Sequence, residues 1–279
     1  MYHTLPAVLL LLLTFTACAA ESDTTEPHAT APDTLPIESQ PAPAQTQPQS
    51  QSDDDSAGSW LERIEAAAND VTTLTAKLRY DRNQLLLGDE QRRFGKLEYE
   101  AGPPPRFSVH FDKKLVDGHP SRPDLYYIYD GRWLLKRDHE NKTAVRYELV
   151  PDDAEAGGAM GLGEGPFPIP LNLKKDRVLT KFNVTVIPIT EEDLENSIHL
   201  QLSPREDNET DLTMIDLWFD RDSLLPVEVS TLDNSESQTI VRLTEIQANE
   251  PLADQSFDTS LPIEPGWQTD ENRIKEEAE

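Results

Sequence analysis

The stretch LTMIDLWFDRDSLLPVEVSTLDNSESQTIVRLTEI, residues 212–246, decides the fold. Ile215, Leu217 and Phe219 alternate with Met214, Asp216 and Trp218. Leu225, Val227 and Val229 alternate with Pro226, Glu228 and Ser230, and Thr239 to Leu243 is β-branched or apolar apart from Arg242. Period-two patterning broken by polar turns at Asp220–Ser223 and Asp233–Ser237 predicts three antiparallel strands in a meander. One face of that meander is apolar and the other mostly polar, as in a sheet that covers something on one side only.

The same pattern extends toward the N-terminus. Phe182, Val184 and Val186 alternate, as do Ile198, Leu200 and Leu202. Leu74, Ala76, Leu78 and Tyr80 mark a strand, followed by strands over residues 92–100 and 106–111, the latter with Phe107, Val109 and Phe111 on its apolar face. Asp130-Gly131 lies between two apolar runs and predicts a two-residue hairpin turn, because both residues tolerate positive φ. Tyr127, Tyr129, Trp133 and Leu135 bracket that turn, and residues 142–150 continue as a strand. Ser59 to Glu62 matches a capping box that opens a helix over about residues 60–70. Phe167 to Leu173 is apolar but interrupted by proline, which fits a short helix or a flap. Together the pattern gives a mainly β (α+β) fold of about eleven strands. The sheet is antiparallel and large enough to curl, with a few short helices on one side.

The chain has 279 residues, 25 basic and 52 acidic, for a net charge of -27. Nucleic-acid binding depends on Lys and Arg neutralising phosphates, so this balance argues against it. Long-range attraction to anionic membrane surfaces is disfavoured for the same reason. Cys18 is the only cysteine, so no intramolecular disulfide and no cysteine metal site can form. It ends an apolar run, Ala7 to Leu13 plus Phe15, that is short for a membrane span and fits the core of a signal peptide. Phe15 to Cys18 is like a lipobox, in which Cys18 becomes the lipidated first residue. The alternative is ordinary secretion with cleavage after Ala19. The position of the sole cysteine favours lipidation.

Residues 19–58 are rich in Pro, Gln, Ser, Thr and Asp. Such a composition buries too little apolar surface to offset chain entropy, and predicts a disordered linker with a reach of roughly 35 Å. The folded domain is expected over residues 59–268 and an acidic tail over 269–279.

Sites for chemistry are sparse. His110, His119, His139 and His199 form no metal-binding spacing, and no nucleophile elbow is present. Asp220 and Asp222 sit where a turn favours Asp, and Asp216 falls on the polar face. The Gly-rich piece 152–165 lacks the Lys-Ser/Thr of a phosphate loop. No enzymatic activity, no metal and no cofactor are expected.

In order and spacing these features resemble the LolA/LolB family, the bacterial carriers and receivers of outer-membrane lipoproteins, over Ser59 to Trp267. The resemblance rests on the opening helix, Gly95-Lys96-Leu97, the proline-led strand at Arg106-Phe107 and the turn Asp130-Gly131-Arg132-Trp133-Leu134. It also rests on Phe219-Asp220 and the closing series Asn249, Leu252, Phe257, Pro262 and Gly266. The carriers' Arg before the strand-ending proline is replaced here by Gly102, and the nearest cation is Arg106. The resemblance implies a strongly curved, incomplete β-barrel with helices as a lid over an apolar concavity. It implies non-enzymatic binding of acyl chains, by a monomer, for lipoprotein carriage or reception in the bacterial envelope. A lipidated Cys18 then tethers the chain to the membrane, facing the periplasm; after cleavage at Ala19 it is soluble there instead. The lining expected for the acyl site is Phe107, Val109, Phe111, Tyr127, Tyr129, Trp133, Ile215, Leu217, Phe219, Val227 and Val229. The alternative is an envelope sensor or protein-interaction module on the same scaffold.

Overall fold

The computed structural model of the protein describes residues 56–86, 88–150, 167–190, 194–253 and 255–274. Cys18, the signal-like segment, the linker up to residue 55 and the Gly-rich piece lie outside the described residues.

The first helix, α1 (Ala57–Asn69), begins earlier than expected. Its N-cap is Ser56, whose side chain accepts from the Ser59 backbone N–H at 3.2 Å. Ser59 is thus the third residue of the helix and not its cap. Glu62 does not reach back; it pairs with Lys175 instead. Trp60, Leu61 and Ile64 form the buried face of α1.

Six strands and one short element follow: β1 (Thr73–Gln84), β2 (Asp89–Glu100), β3 (Arg106–Val116), β4 (His119–Ser121), β5 (Leu125–Tyr129), β6 (Trp133–Asp138) and β7 (Thr143–Glu148). A second helix, α2 (Lys175–Lys181), leads into β8 (Phe182–Ile187), β9 (Ser197–Pro204), β10 (Leu212–Asp220), β11 (Pro226–Asp233) and β12 (Ser237–Ala248). The last strand, β13 (Gln268–Asn272), starts the segment expected as a tail.

All thirteen strands form one curved, unclosed sheet in the order β13-β7-β6-β5-β3-β2-β1-β12-β11-β10-β9-β8, with β4 hydrogen-bonded to β3. The meander β10–β11–β12 is antiparallel as its alternation predicts. Its inner face continues across neighbouring strands: Val186, Leu200, Leu217, Val229, Val241 and Tyr80 face one another in register. Leu200 and Leu217 are fully buried in this row. The two strands beyond the expected eleven are β4 and β13. β4 is three residues long and β13 is wholly polar, so neither carries an apolar alternation to read.

One close approach fixes how β2 and β3 pair. A Cβ on Gly95 would lie 2.0 Å from the His110 carbonyl oxygen, and the ladder shifts register between Phe94 and Gly95. Only glycine permits backbones to come this near.

Turn chemistry fixes the remaining geometry. Asp220 Oδ1 accepts from the backbone N–H groups of Asp222 and Ser223 at 3.2 and 2.8 Å. These bonds, with the Ser223 backbone first, hold its carboxyl below the usual value. Asp216 accepts from Gln201 and pairs with His199 on the outer face.

A second apolar cluster lies on the outer face of β5–β7. Ile128, Leu135 and Ala144 are buried there beneath Phe257, with Leu252, Leu261 and Trp267 packed against them. The segment after β12 lies over this outer face. Asn249 anchors its start: its Oδ1 accepts from the N–H and hydroxyl of Thr72, at 2.8 and 2.9 Å.

Candidate lipid-binding site

On the inner face of β2, β3 and β5, the side chains of Leu97, Tyr99, Phe107, Val109 and Tyr129 form one wall of a cavity. The opposite wall is Phe167, Ile169, Leu171 and Asn172, the segment before α2. This strap reads Phe-Pro-Ile-Pro-Leu from residue 167 to 171. A proline at every second position removes the N–H groups a ladder needs, so the strap is neither strand nor helix. It holds its place through side chains. Phe167 is only 8% exposed and sits among four rings: Tyr80, Phe107, Phe111 and Tyr127, at centroid distances of 5.9, 6.2, 5.9 and 5.1 Å. Contacts with Tyr80, Phe107 and Tyr127 are edge-on, the arrangement ring quadrupoles prefer.

Ion pairs between the two helices hold the strap's far end. Lys175 Nζ lies 2.8 Å from Glu62, and the Lys175 N–H donates to Glu65 at 2.9 Å. Lys174 Nζ donates to Asn69 at 2.8 Å. The hydrogen bond from Lys175 holds the Glu62 carboxyl below its ordinary value of 4.5. A carboxyl depressed in the folded state stabilises above its ordinary value, and that contribution fades as pH falls through the lowered value. The helix–helix contact is therefore expected to loosen as pH falls below the ordinary carboxylate value, and at high salt. Faster amide exchange over residues 167–181, with β9 and β10 unchanged, is the expected result. Uniform exchange across both regions would argue against a separable strap.

The cavity measures about 60 Å³, room for a few water molecules. Its surface is mainly apolar. Burial pushes the phenols of Tyr99 and Tyr129 up to about 12, with Asp130 adding to the effect on Tyr129. Both remain neutral at physiological pH. The Tyr129 hydroxyl donates to the Gly131 carbonyl at 2.7 Å. On the other side of the sheet, next to inward-facing Phe107, Arg106 pairs with Glu100 at 2.5 Å and lies over the Phe257 ring of the outer cluster at 4.8 Å.

Of the residues expected to line an acyl site, Phe107, Val109 and Tyr129 line this cavity. Phe111 and Tyr127 lie one layer away, against Phe167. Ile215, Leu217, Phe219 and Val229 point to the same inner face but are packed core in the other half of the sheet.

Two expected residues are elsewhere. The turn after β5 uses Gly131 and Arg132 at its tip, not Asp130 and Gly131. Asp130 Oδ1 accepts from both Arg132 N–H and Trp133 N–H, at 2.9 and 2.7 Å, and Tyr129 pairs with Leu134. Leu134 therefore shares the inner face with Tyr129, and its neighbour Trp133 alternates to the other side; a two-residue turn at Asp130-Gly131 would have set Trp133 opposite Ile128, on that same outer side. Trp133 thus stands on the outer face, with the guanidinium groups of Arg146, Arg132 and Arg273 at 4.4, 5.3 and 5.6 Å from its ring. Val227 is displaced by a bulge: Trp218 pairs with Glu228 and Phe219 with Pro226, leaving Val227 as the extra residue. Pro226 cannot donate to the ladder, which favours a bulge at this point.

Trp133→Ala is accordingly expected to leave binding of a fluorescent fatty acid unchanged. Its stability cost should be nearer 1 kcal/mol than the 3–5 of a buried aromatic. A loss of binding in this variant would contradict the outer placement.

The strap, Leu97, Tyr99, Pro105 and Arg106 were not anticipated as lining. Leu97 and Tyr99 do alternate in the sequence, and the alternation of apolar residues with proline from residue 167 was the available signal for the strap. Among the described residues no group of three or more His, Cys, Asp or Glu is placed to hold a metal.

These features define a class: an unclosed antiparallel β-cup with an apolar inner face under a strap and two short helices. Part of the chain is similar to LolA. The family model for the outer membrane lipoprotein carrier protein LolA matches residues 170–260, from the strap to the segment after β12, while β1–β7 lie outside the match. No curated protein matches the chain.

Similar solved structures include an uncharacterized conserved protein from Thermus thermophilus, at 11% identity and TM-score 0.45, covering 76% of this chain and 97% of that one. The Pseudomonas aeruginosa MucA/MucB complex is similar at 14% identity and TM-score 0.40, over 73% of this chain and 60% of that one. A putative outer membrane lipoprotein-sorting protein domain from Vibrio parahaemolyticus is similar at 10% identity and TM-score 0.38, over 72% and 95%. All are distant likenesses.

Proposed function

We propose that the protein binds acyl chains of lipids or lipoproteins on the concave face of its sheet, as a non-enzymatic carrier or receiver in the bacterial envelope. The observation that supports this is the apolar cavity closed by a strap that no backbone ladder holds. In the closed state the cavity of about 60 Å³ is far too small for an acyl chain. Binding therefore means that Phe167, Ile169 and Leu171 leave and the chain takes their place.

Magnitudes favour that exchange. Exposing three large apolar side chains costs about 5–9 kcal/mol, at 1.5–3 each. Burying an acyl chain of about 16 carbons contributes on the order of 13 kcal/mol, at about 0.8 per CH₂. One apolar filling replaces another, so loading and unloading can run near equilibrium without a nucleotide. On this reading Cys18 is lipidated and tethers the protein on the periplasmic side. A Cys18→Ser variant should then leave the membrane fraction and appear soluble.

Mass spectrometry of organic extracts from the purified full chain is the direct test. Fatty acids or phospholipids near one per protein are the expected result. A lipid-free protein that also fails to take up an added fluorescent fatty acid would sink the acyl reading and leave a protein-interaction role on the same scaffold.

A further inference from the structure

The sheet ends in two strands of unlike character. β13 carries Asp270 and Glu271, charges of the kind that keep other strands from pairing with an edge. β8, at the opposite end, reads Phe-Asn-Val-Thr-Val-Ile, with no charge and no proline. Its register against β9 is unbroken, so no bulge twists it away. Among the described residues no strand pairs with its far side.

Two hydrogen bonds fix which groups of β8 point to that open side. In an antiparallel ladder every second opposed pair exchanges backbone bonds. Arg205 N–H donates to the Lys181 carbonyl at 3.0 Å, so in the same register Asn183–Ser203, Thr185–Gln201 and Ile187–His199 are the bonded pairs. Arg221 N–H donates to the Asn196 carbonyl at 2.9 Å, which commits Leu200 and Leu202 to β10 and leaves Gln201 for β8. The two ladders agree. Val184 and Val186 therefore turn their N–H and C=O groups away from β9, while their side chains pack half-buried against the core. The Phe182 N–H is already taken by the Val178 carbonyl, and Pro188 has none to offer.

We propose that β8 accepts an extended segment of a partner polypeptide as a further strand, anchored on the backbones of Val184 and Val186. Donors and acceptors repeating every second residue match another extended backbone. The incoming residues that bond to Val184 and Val186 lie opposite them and point inward, so they are apolar. Those between lie beside exposed Asn183 and Thr185 and are polar. A second copy is a poor occupant. Each chain carries a net charge of -27, and a strand of six residues falls well short of the roughly 1,200 Å² a stable dimer buries. This inference stands apart from the acyl reading, because it uses the rim of the sheet and not its cavity.

The probe is a fluorescein-labelled peptide of alternating valine and threonine, N-methylated at every threonine so that only the valine N–H groups can pair. Its counterpart is N-methylated at every valine instead. Fluorescence anisotropy with the full chain is expected to show saturable binding of the first and at least about tenfold weaker binding of the second, which pairs only with threonine turned inward. Val186→Pro removes one outward N–H and keeps the bonds to β9, which run through Thr185 and Ile187. It should weaken the first peptide at least about tenfold and unfold at nearly the same denaturant concentration as the parent. The two peptides on the unaltered chain test the edge even where that variant fails to fold.

Equal binding of both peptides, or binding of neither, overturns the edge as a docking site. Full binding retained by folded Val186→Pro overturns the assignment to β8. A dimer in sedimentation that Val186→Pro abolishes gives the edge to a second copy and overturns the partner segment.

Discussion

Replacing Phe167 by alanine is expected to lower stability by about 3–5 kcal/mol and, in the same protein, to tighten fatty-acid binding about tenfold or more. Both effects follow from one geometry. Phe167 is 8% exposed and fills the space between Tyr80, Phe107, Phe111 and Tyr127. Its removal leaves a void whose walls keep their positions, since those four residues belong to β1, β3 and β5. An acyl chain entering that void no longer has to expel a side chain worth about 1.5–3 kcal/mol of burial. Denaturant unfolding with and without added fatty acid measures both quantities. A ligand that restores most of the lost stability is the expected outcome. Loss of stability with no gain in affinity would make Phe167 ordinary core.

The second large effect is steric. Gly95→Ala should cost at least about 3 kcal/mol, and Gly95→Val should not fold to the native register. The new Cβ would meet the His110 carbonyl at 2.0 Å, and backbone in mid-sheet cannot swing aside as a side chain can. Gly58, where an added Cβ meets nothing within 4 Å, is the matching control and should tolerate alanine without loss. Chemical denaturation of both variants gives the comparison. A Gly95→Ala protein as stable as the parent would mean that β2 and β3 do not approach so closely.

Much of this architecture could be read beforehand, and the reasons differ by element. The meander was legible because Ile215, Leu217 and Phe219 alternate without interruption and the aspartates at positions 220 and 233 close their turns with side-chain bonds. The inward set Phe107, Val109 and Tyr129 was legible for the same reason.

Errors arose at single residues. Across a two-residue turn, whether its tip is 130–131 or 131–132, Trp133 falls on the face away from Tyr129, and Leu134 is the residue that pairs with that tyrosine. Val227 left the inner face through a bulge that alternation cannot show. The cavity itself is a product of long-range packing: the strap begins 60 residues after Phe107 in the chain and meets it only when the sheet is folded. The outer cluster is hidden for another reason. Ile128 and Leu135 lie between Tyr127, Tyr129 and Leu134, so β5 and β6 read as continuous apolar runs with no preferred side.

That outer cluster has a consequence for what happens when ligand comes and goes. A sheet whose apolar residues all faced inward would depend on its contents for cohesion, and emptying it would invite collapse. Here Ile128, Leu135 and Ala144 stay dry beneath Phe257 whatever occupies the concave side. The wall behaves like a bowl glazed on the outside: draining it does not change its form. Filled and empty states can then share one rigid vessel and differ only in the position of its cover, which lets release be quick and the same molecule be loaded again.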